Sequence, residues 1–199
     1  MLIFAVAIAY LLGSISSSYL AGRMIAGIDI REHGSGNAGA TNTLRVLGPK
    51  VAAVVLLADL LKGVVAVLIA ERLTGGQETA GVFAGIAAIA GHNWPIYYGF
   101  RGGKGIATTI GVTFTLVPLA ALSAGLVAIL LLLLLRIVSL ASLTFTTLMP
   151  IFVFIYHLPM NDFWFTLILA VMALWRHRSN IDRLLKGEEK RLGKKRELK

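Results

Sequence analysis

Long apolar runs separated by short polar stretches set the limits on what this chain can fold into. A helix that crosses a bilayer needs about 20 mostly apolar residues, because each backbone polar group must be satisfied within the segment. The first run extends from Leu2 to about Gly22, the second from about Val51 to Ala70 and the third from Thr79 to about Ala90. Residues 106–135 form a longer run with Pro118 inside it, and two more lie near residues 139–156 and 163–175. Of the 199 residues, 57% are hydrophobic and 15% charged, against roughly 45–50% and about 25% in soluble domains. An ordinary soluble globule and a disordered chain are both excluded. The absence of cysteine excludes thiol catalysis, disulfides and cysteine-ligated metal centres.

Charge placement predicts the topology. No basic residue precedes the first run and Arg23 follows it, the reverse of a signal peptide. It therefore reads as a retained span that enters from outside. If residues 106–135 cross twice, 17 of the 19 Lys and Arg residues fall on one side, with Lys62 inside a span and Arg72 opposite. Basic residues collect on the cytoplasmic side. The expectation is an all-α polytopic membrane protein of about seven helices, with the N-terminus outside and the C-terminus in the cytoplasm. No repeat or soluble portion is visible, so residues 1–199 read as one integral-membrane domain. The net charge of +9 is read as this bias and not as nucleic-acid binding, whose usual motifs are missing.

Two inward loops are unusual. The first reads Gly34-Ser35-Gly36-Asn37-Ala38-Gly39-Ala40-Thr41-Asn42-Thr43-Leu44-Arg45. Glycines permit positive φ and close backbone approach, so consecutive N–H groups can form a concave anion nest. A helix start beside it would strengthen the nest. Ser35 and Thr41 add hydroxyls, and Arg45 adds a planar fork suited to phosphate. Gly34-x-Gly36-x-x-Gly39 matches the dinucleotide fingerprint in form only, since the strand that pattern requires is missing.

The second loop holds Gly91-His92-Asn93-Trp94-Pro95 and then Phe100-Arg101-Gly102-Gly103-Lys104-Gly105. Its glycines around Lys104 suggest another phosphate cradle, while Trp94, Tyr97 and Tyr98 suit an interfacial belt. Within the second span, Asp59 and Lys62 lie three residues apart on one face. Ionisable groups inside a membrane are costly, which marks a functional site or a self-neutralising structural pair. After the last span come His177 and Asn180, then a basic tail whose Lys190–Lys199 segment suits acidic lipids.

Taken in order, GSGNAGATNTLR, DLLKG, GHNWPIYYGFRGGKG and RHRSNIDRLLKGEEK resemble the bacterial acyl-phosphate:glycerol-3-phosphate acyltransferase family over nearly the whole chain. The resemblance implies transfer of a fatty acyl group from acyl phosphate to the 1-hydroxyl of glycerol 3-phosphate. The products would be lysophosphatidic acid and phosphate, the first acylation of phospholipid synthesis. Neither coenzyme A nor acyl carrier protein would be the direct donor, and no cofactor or metal is expected. By the same resemblance Ser35, Arg45, Lys104 and His177 are the catalytic candidates. Gly34, Gly36, Asn37, Gly39, Thr41, Asn42, Lys62, His92, Asn93, Gly102, Gly103, Asn180 and Glu189 are the candidates for substrate or phosphate binding. The implied location is the bacterial cytoplasmic (inner) membrane, with the site at the cytoplasmic face and membrane lipids around it.

Both implied substrates carry phosphate, which suits two cationic, donor-rich loops. Acyl phosphate has a good leaving group, so positioning and charge stabilisation can carry the reaction without a Ser–His–Asp triad. The hydroxyl proton has two candidate acceptors, a substrate phosphate oxygen and His177. A small transporter or channel for phosphorylated anions is the competing class, since such proteins also place polar groups at span breaks. His157 and Asp162 match the His-x4-Asp pattern of many glycerolipid acyltransferases. They fall on the expected outer side, and the match is read as chance.

Overall fold

The computed structural model describes residues 1–193; the rest of the basic tail, residues 194–199, lies outside the described residues. The chain divides into two compact units, Met1–Leu116 and Val117–Lys199.

The first unit contains α1 (Leu2–Gly13), α2 (Ser17–Ala26), α3 (Ala40–Leu47), α4 (Pro49–Leu73), α5 (Glu78–Asn93) and α6 (Ile106–Leu116). Small residues decide its packing. Ala5 and Ala9 of α1, Ala66 and Ala70 of α4, and Ala84 and Ala88 of α5 form one buried cluster. Where lipid removes the hydrophobic drive, close backbone approach between small residues holds helices together. At Gly13 the approach is so close that a Cβ would overlap the Ala88 backbone.

The first apolar run is not one continuous helix. It breaks between Gly13 and Ser17, and Ser16 caps α2 by accepting the Tyr19 N–H. The carbonyl of Ile15, freed by the break, accepts Lys62 Nζ at 2.7 Å. Ser17 Oγ donates to Asp59 Oδ1 at 2.9 Å. A broken span is tolerated where neighbouring side chains satisfy the released backbone groups, and the two charged residues of α4 supply that need.

The second unit contains α7 (Pro118–Leu135), α8 (Val138–Ile155), α9 (Met160–Arg176) and α10 (Arg178–Leu185). The long run 106–135 is two helices: Val117 leaves helical geometry at φ −133° and ψ 58°, and Pro118 opens α7. Proline lacks the N–H that an interior position would need and has the φ that a first turn favours. Ala120, Ala121, Ala124 and Ala128 supply the buried side of α7, and Ser123 bonds the Tyr156 hydroxyl beyond α8.

Among the described residues, four helical segments are long and apolar enough to cross a membrane: Leu2–Ala26, Pro49–Leu73, Pro118–Leu135 and Val138–Ile155. The remaining apolar helices α5, α6 and α9 have 16, 11 and 17 residues. At 1.5 Å per residue, α6 spans only about 16 Å. His157, with φ 51°, lies in the turn between α8 and α9, and Asp162 lies in the first turn of α9.

Candidate active site

Asn42 shapes the first glycine loop from inside. It is 1% exposed. Its Oδ1 accepts the Ser35 N–H at 2.7 Å, and its Nδ2 donates to the Ile30 and His33 carbonyls, each at 3.0 Å. Both amide protons are thus spent on the loop itself, so this residue braces the nest. Gly34 must be glycine on two counts. Its φ is +66°, and a Cβ would overlap Asn42 Oδ1.

The loop leads into α3, whose start at Gly39 has no side-chain cap. The positive end of that helix therefore faces the nest. Thr41 and Arg45 lie one turn apart on α3 and so share a face. Ser35 and Arg45 are exposed, and Asn37 is half-buried.

The second loop lies directly against the first. Gly103 N–H donates to the His92 carbonyl at 3.1 Å. A Cβ on Gly103 would overlap His92 Nε2 and crowd the Ala38 carbonyl of the first loop. A Cβ on Gly102 would overlap the His92 carbonyl. Glycine here lets the backbone beside Lys104 pass between the end of α5 and the first loop. His92 and Asn93 are buried at the last turn of α5.

Arg31, outside the motifs singled out from sequence, ties the loops together. Its Nη1 donates to the Tyr98 carbonyl at 2.8 Å and to the Arg101 carbonyl at 3.4 Å. Its Nε donates to Asp29 Oδ1 at 2.9 Å, and its Cζ sits 4.9 Å from the Tyr19 ring centroid. The hydrogen bonds from Arg31 hold the Asp29 carboxyl down at about 2. The available signal was the alternating charge of IDIRE beside a glycine loop.

Lys62, expected among the phosphate ligands, turns inward. Its Nζ pairs with Asp59 at 2.8 Å and binds the Ile15 carbonyl, with 9% of the side chain exposed. Burial and two committed partners place it in the support of the site.

In the second unit, His177 ends α9 and precedes α10, 2% exposed. Its Nδ1 lies 2.8 Å from the Ala173 carbonyl. A carbonyl only accepts, so Nδ1 carries a proton toward Ala173. Asn180 Nδ2 donates to Glu189 Oε1 at 2.6 Å, as does Ser139 Oγ at 2.8 Å, and Arg183 Nε donates to Glu189 Oε2 at 2.7 Å. Burial alone would raise the Glu189 carboxyl. Hydrogen bonds from Asn180, Ser139 and Arg183 outweigh it and hold the group below its ordinary value. Glu189 thus clasps the tail to α8 and α10. A carboxylate facing a phosphate would oppose binding.

The family model described as glycerol-3-phosphate acyltransferase matches residues 3–187. A glycerol-3-phosphate acyltransferase of Halalkalibacterium halodurans is 56% identical, with 94% of each chain covered. One of Shouchella clausii is 54% identical, covering 98% of this chain and 97% of its own. Among solved structures, PlsY (YgiH), an integral membrane glycerol 3-phosphate acyltransferase, aligns in its glycerol 3-phosphate form. The TM-score is 0.89 at 41% identity, with 96% of both chains covered.

Proposed function

This chain belongs to the glycerol-3-phosphate acyltransferase family, and we propose that it transfers a fatty acyl group from acyl phosphate to the 1-hydroxyl of glycerol 3-phosphate. It is an all-helical integral membrane acyltransferase. The observation that carries the donor assignment is the meeting of two glycine loops at Ala38 and Gly103, one followed by Arg45 and the other by Lys104. Each reactant brings one phosphate group, and each loop brings cationic side chains, Arg45 after the first and Arg101 with Lys104 in the second.

The reaction balances with these groups alone. The glycerol 3-phosphate hydroxyl attacks the acyl carbonyl carbon, the carbon–oxygen bond to phosphate breaks, and the ester of lysophosphatidic acid forms. The hydroxyl proton ends on the released phosphate, either directly or by way of His177 as the second candidate acceptor. Arg45 and Lys104 neutralise the phosphates. Ser35 donates from its hydroxyl to a phosphate or to the reacting carbonyl oxygen, since Asn42 occupies its N–H. Thr41 completes the contacts with substrate on the first loop, while buried His92 and Asn93 back the second loop from inside.

The reading extends to placement. Seven spans, with the N-terminus outside the bacterial cytoplasmic membrane, put both glycine loops and the tail on the cytoplasmic side, where basic residues belong.

The test is phosphate release by purified protein given acyl phosphate and glycerol 3-phosphate, with a chelator present. Release that requires both substrates supports the reading. A carrier for phosphorylated anions would move either compound across a vesicle wall without changing it.

A further inference from the structure

Asp59 and Lys62 have a structural duty at the break between α1 and α2, yet one contact is left over. Asp59 Oδ1, which already accepts from Ser17 and pairs with Lys62 Nζ, also lies 3.7 Å from His92 Nδ1. The side chains are sealed, with Asp59 2% and His92 5% exposed. On the other edge of the same ring, Nε2 sits against Gly103, next to Lys104.

The imidazole thus bridges a buried carboxylate and the second glycine loop. The 3.7 Å separation is too long for a direct hydrogen bond, and a shift of under about 1 Å closes it to one. In a site this dry, a carboxylate beside Nδ1 favours the proton there and resists rotation of the ring. Lys62 Nζ holds the Asp59 carboxylate in place at 2.8 Å, and the Ile15 carbonyl holds Lys62.

We propose that Asp59 is a positioning residue for the acyltransferase reaction. Held by Lys62 and Ser17, it keeps a proton on His92 Nδ1 and so fixes the Nε2 edge that faces the Gly102–Gly103–Lys104 loop. The break in the first span, the ion pair of α4 and the phosphate loop then form one mechanical unit. The kinetic arm of this proposal rests on the function proposed above; its spectroscopic arm does not.

Asp59→Asn alone would leave the Lys62 ammonium buried without its partner. The variant to use is therefore Asp59→Asn with Lys62→Gln, which removes both charges and keeps donors for Ile15 and for the Asp59 position. In full-length protein with 15N-labelled histidine, the four histidines give resolvable ring signals, and His92→Gln identifies the relevant one. The wild-type spectrum should show His92 protonated at Nδ1, and the double variant should lose that preference. In phosphate-release assays the double variant should raise the KM for glycerol 3-phosphate by about tenfold, a coupling typical of residues in contact. That increase should vanish in a His92→Gln background.

A wild-type His92 lacking the Nδ1 proton, or a spectrum unchanged in the double variant, overturns the proposal. So does a KM effect of equal size with and without His92, which would mark the pair as purely structural. If wild-type protein releases no phosphate, the proposed function fails, while the ring spectra still decide whether Asp59 orients His92.

Discussion

Asn42 accepts the backbone N–H of Ser35 at 2.7 Å, so the buried amide of one residue decides where the hydroxyl of another can point. The rest of that amide fastens Ile30 and His33. Asn42→Ala removes three hydrogen bonds and leaves the loop unbraced. Stability should fall by about 2–4 kcal/mol, seen as a lower Tm in detergent. Displacing Ser35 should also cut kcat/KM on the order of 100-fold. Asn42→Asp keeps the acceptor for Ser35 but offers a carboxylate to two carbonyls, so it should not rescue. An Asn42→Ala enzyme with normal kcat/KM would show that Ser35 is held by something else.

The Asp29–Arg31 clasp makes a prediction about pH. Folding lowers the Asp29 carboxyl from 3.8 to about 2. A depressed carboxylate stabilises the fold fully above its unfolded value, and that contribution is lost as pH falls through the folded value. Between about pH 4 and 2, the wild-type Tm should therefore fall more steeply than that of Asp29→Asn, which cannot ionise. Parallel curves for the two proteins would remove the clasp from the account.

Arg45 and Lys104 should separate kinetically. Lys104→Ala removes a point charge from a binding loop and should mainly raise a substrate's KM. Arg45→Ala should damage both kcat and KM, because a bidentate guanidinium can follow charge onto the departing phosphate. Arg45→Lys should rescue poorly for lack of the fork. A near-wild-type Arg45→Lys would refute bidentate contact.

The proposed topology places positions 45 and 190 in the cytoplasm and position 72 outside. Single cysteines are easily introduced into this cysteine-free chain. A membrane-impermeant reagent applied to intact cells should label position 72 and spare the other two. Strong labelling at position 45 would invert the model of the membrane.

Features carried by composition and local stereochemistry were legible in the sequence. Pro118 announced the split between α6 and α7, because proline cannot continue a helix without losing a hydrogen bond. The glycines around Ser35 and Lys104 announced tight loops, and the structure sets the two loops against each other. What stayed hidden depends on partners far along the chain. The break at residues 14–16 sits in an apolar run whose average hides it, and its released carbonyl is met by Lys62, 47 positions after Ile15. Asn42 and Glu189 were singled out for side chains that bind polar groups; the partners the structure gives them are the Ser35 amide and the donors Ser139, Asn180 and Arg183, none of which spacing announces. Spacing along a chain cannot tell an amide that faces substrate from one that faces its own backbone.

In the proposed reaction the acyl group passes directly between two phosphate-bearing substrates, with Ser35 as a donor and not a nucleophile. Mass spectrometry of the enzyme after incubation with acyl phosphate alone, then with glycerol 3-phosphate added, tests it most directly. Direct transfer leaves Ser35 unmodified throughout, with lysophosphatidic acid and phosphate appearing in equal amounts only after the second addition. A stoichiometric acyl adduct on Ser35 that glycerol 3-phosphate then discharges would contradict it.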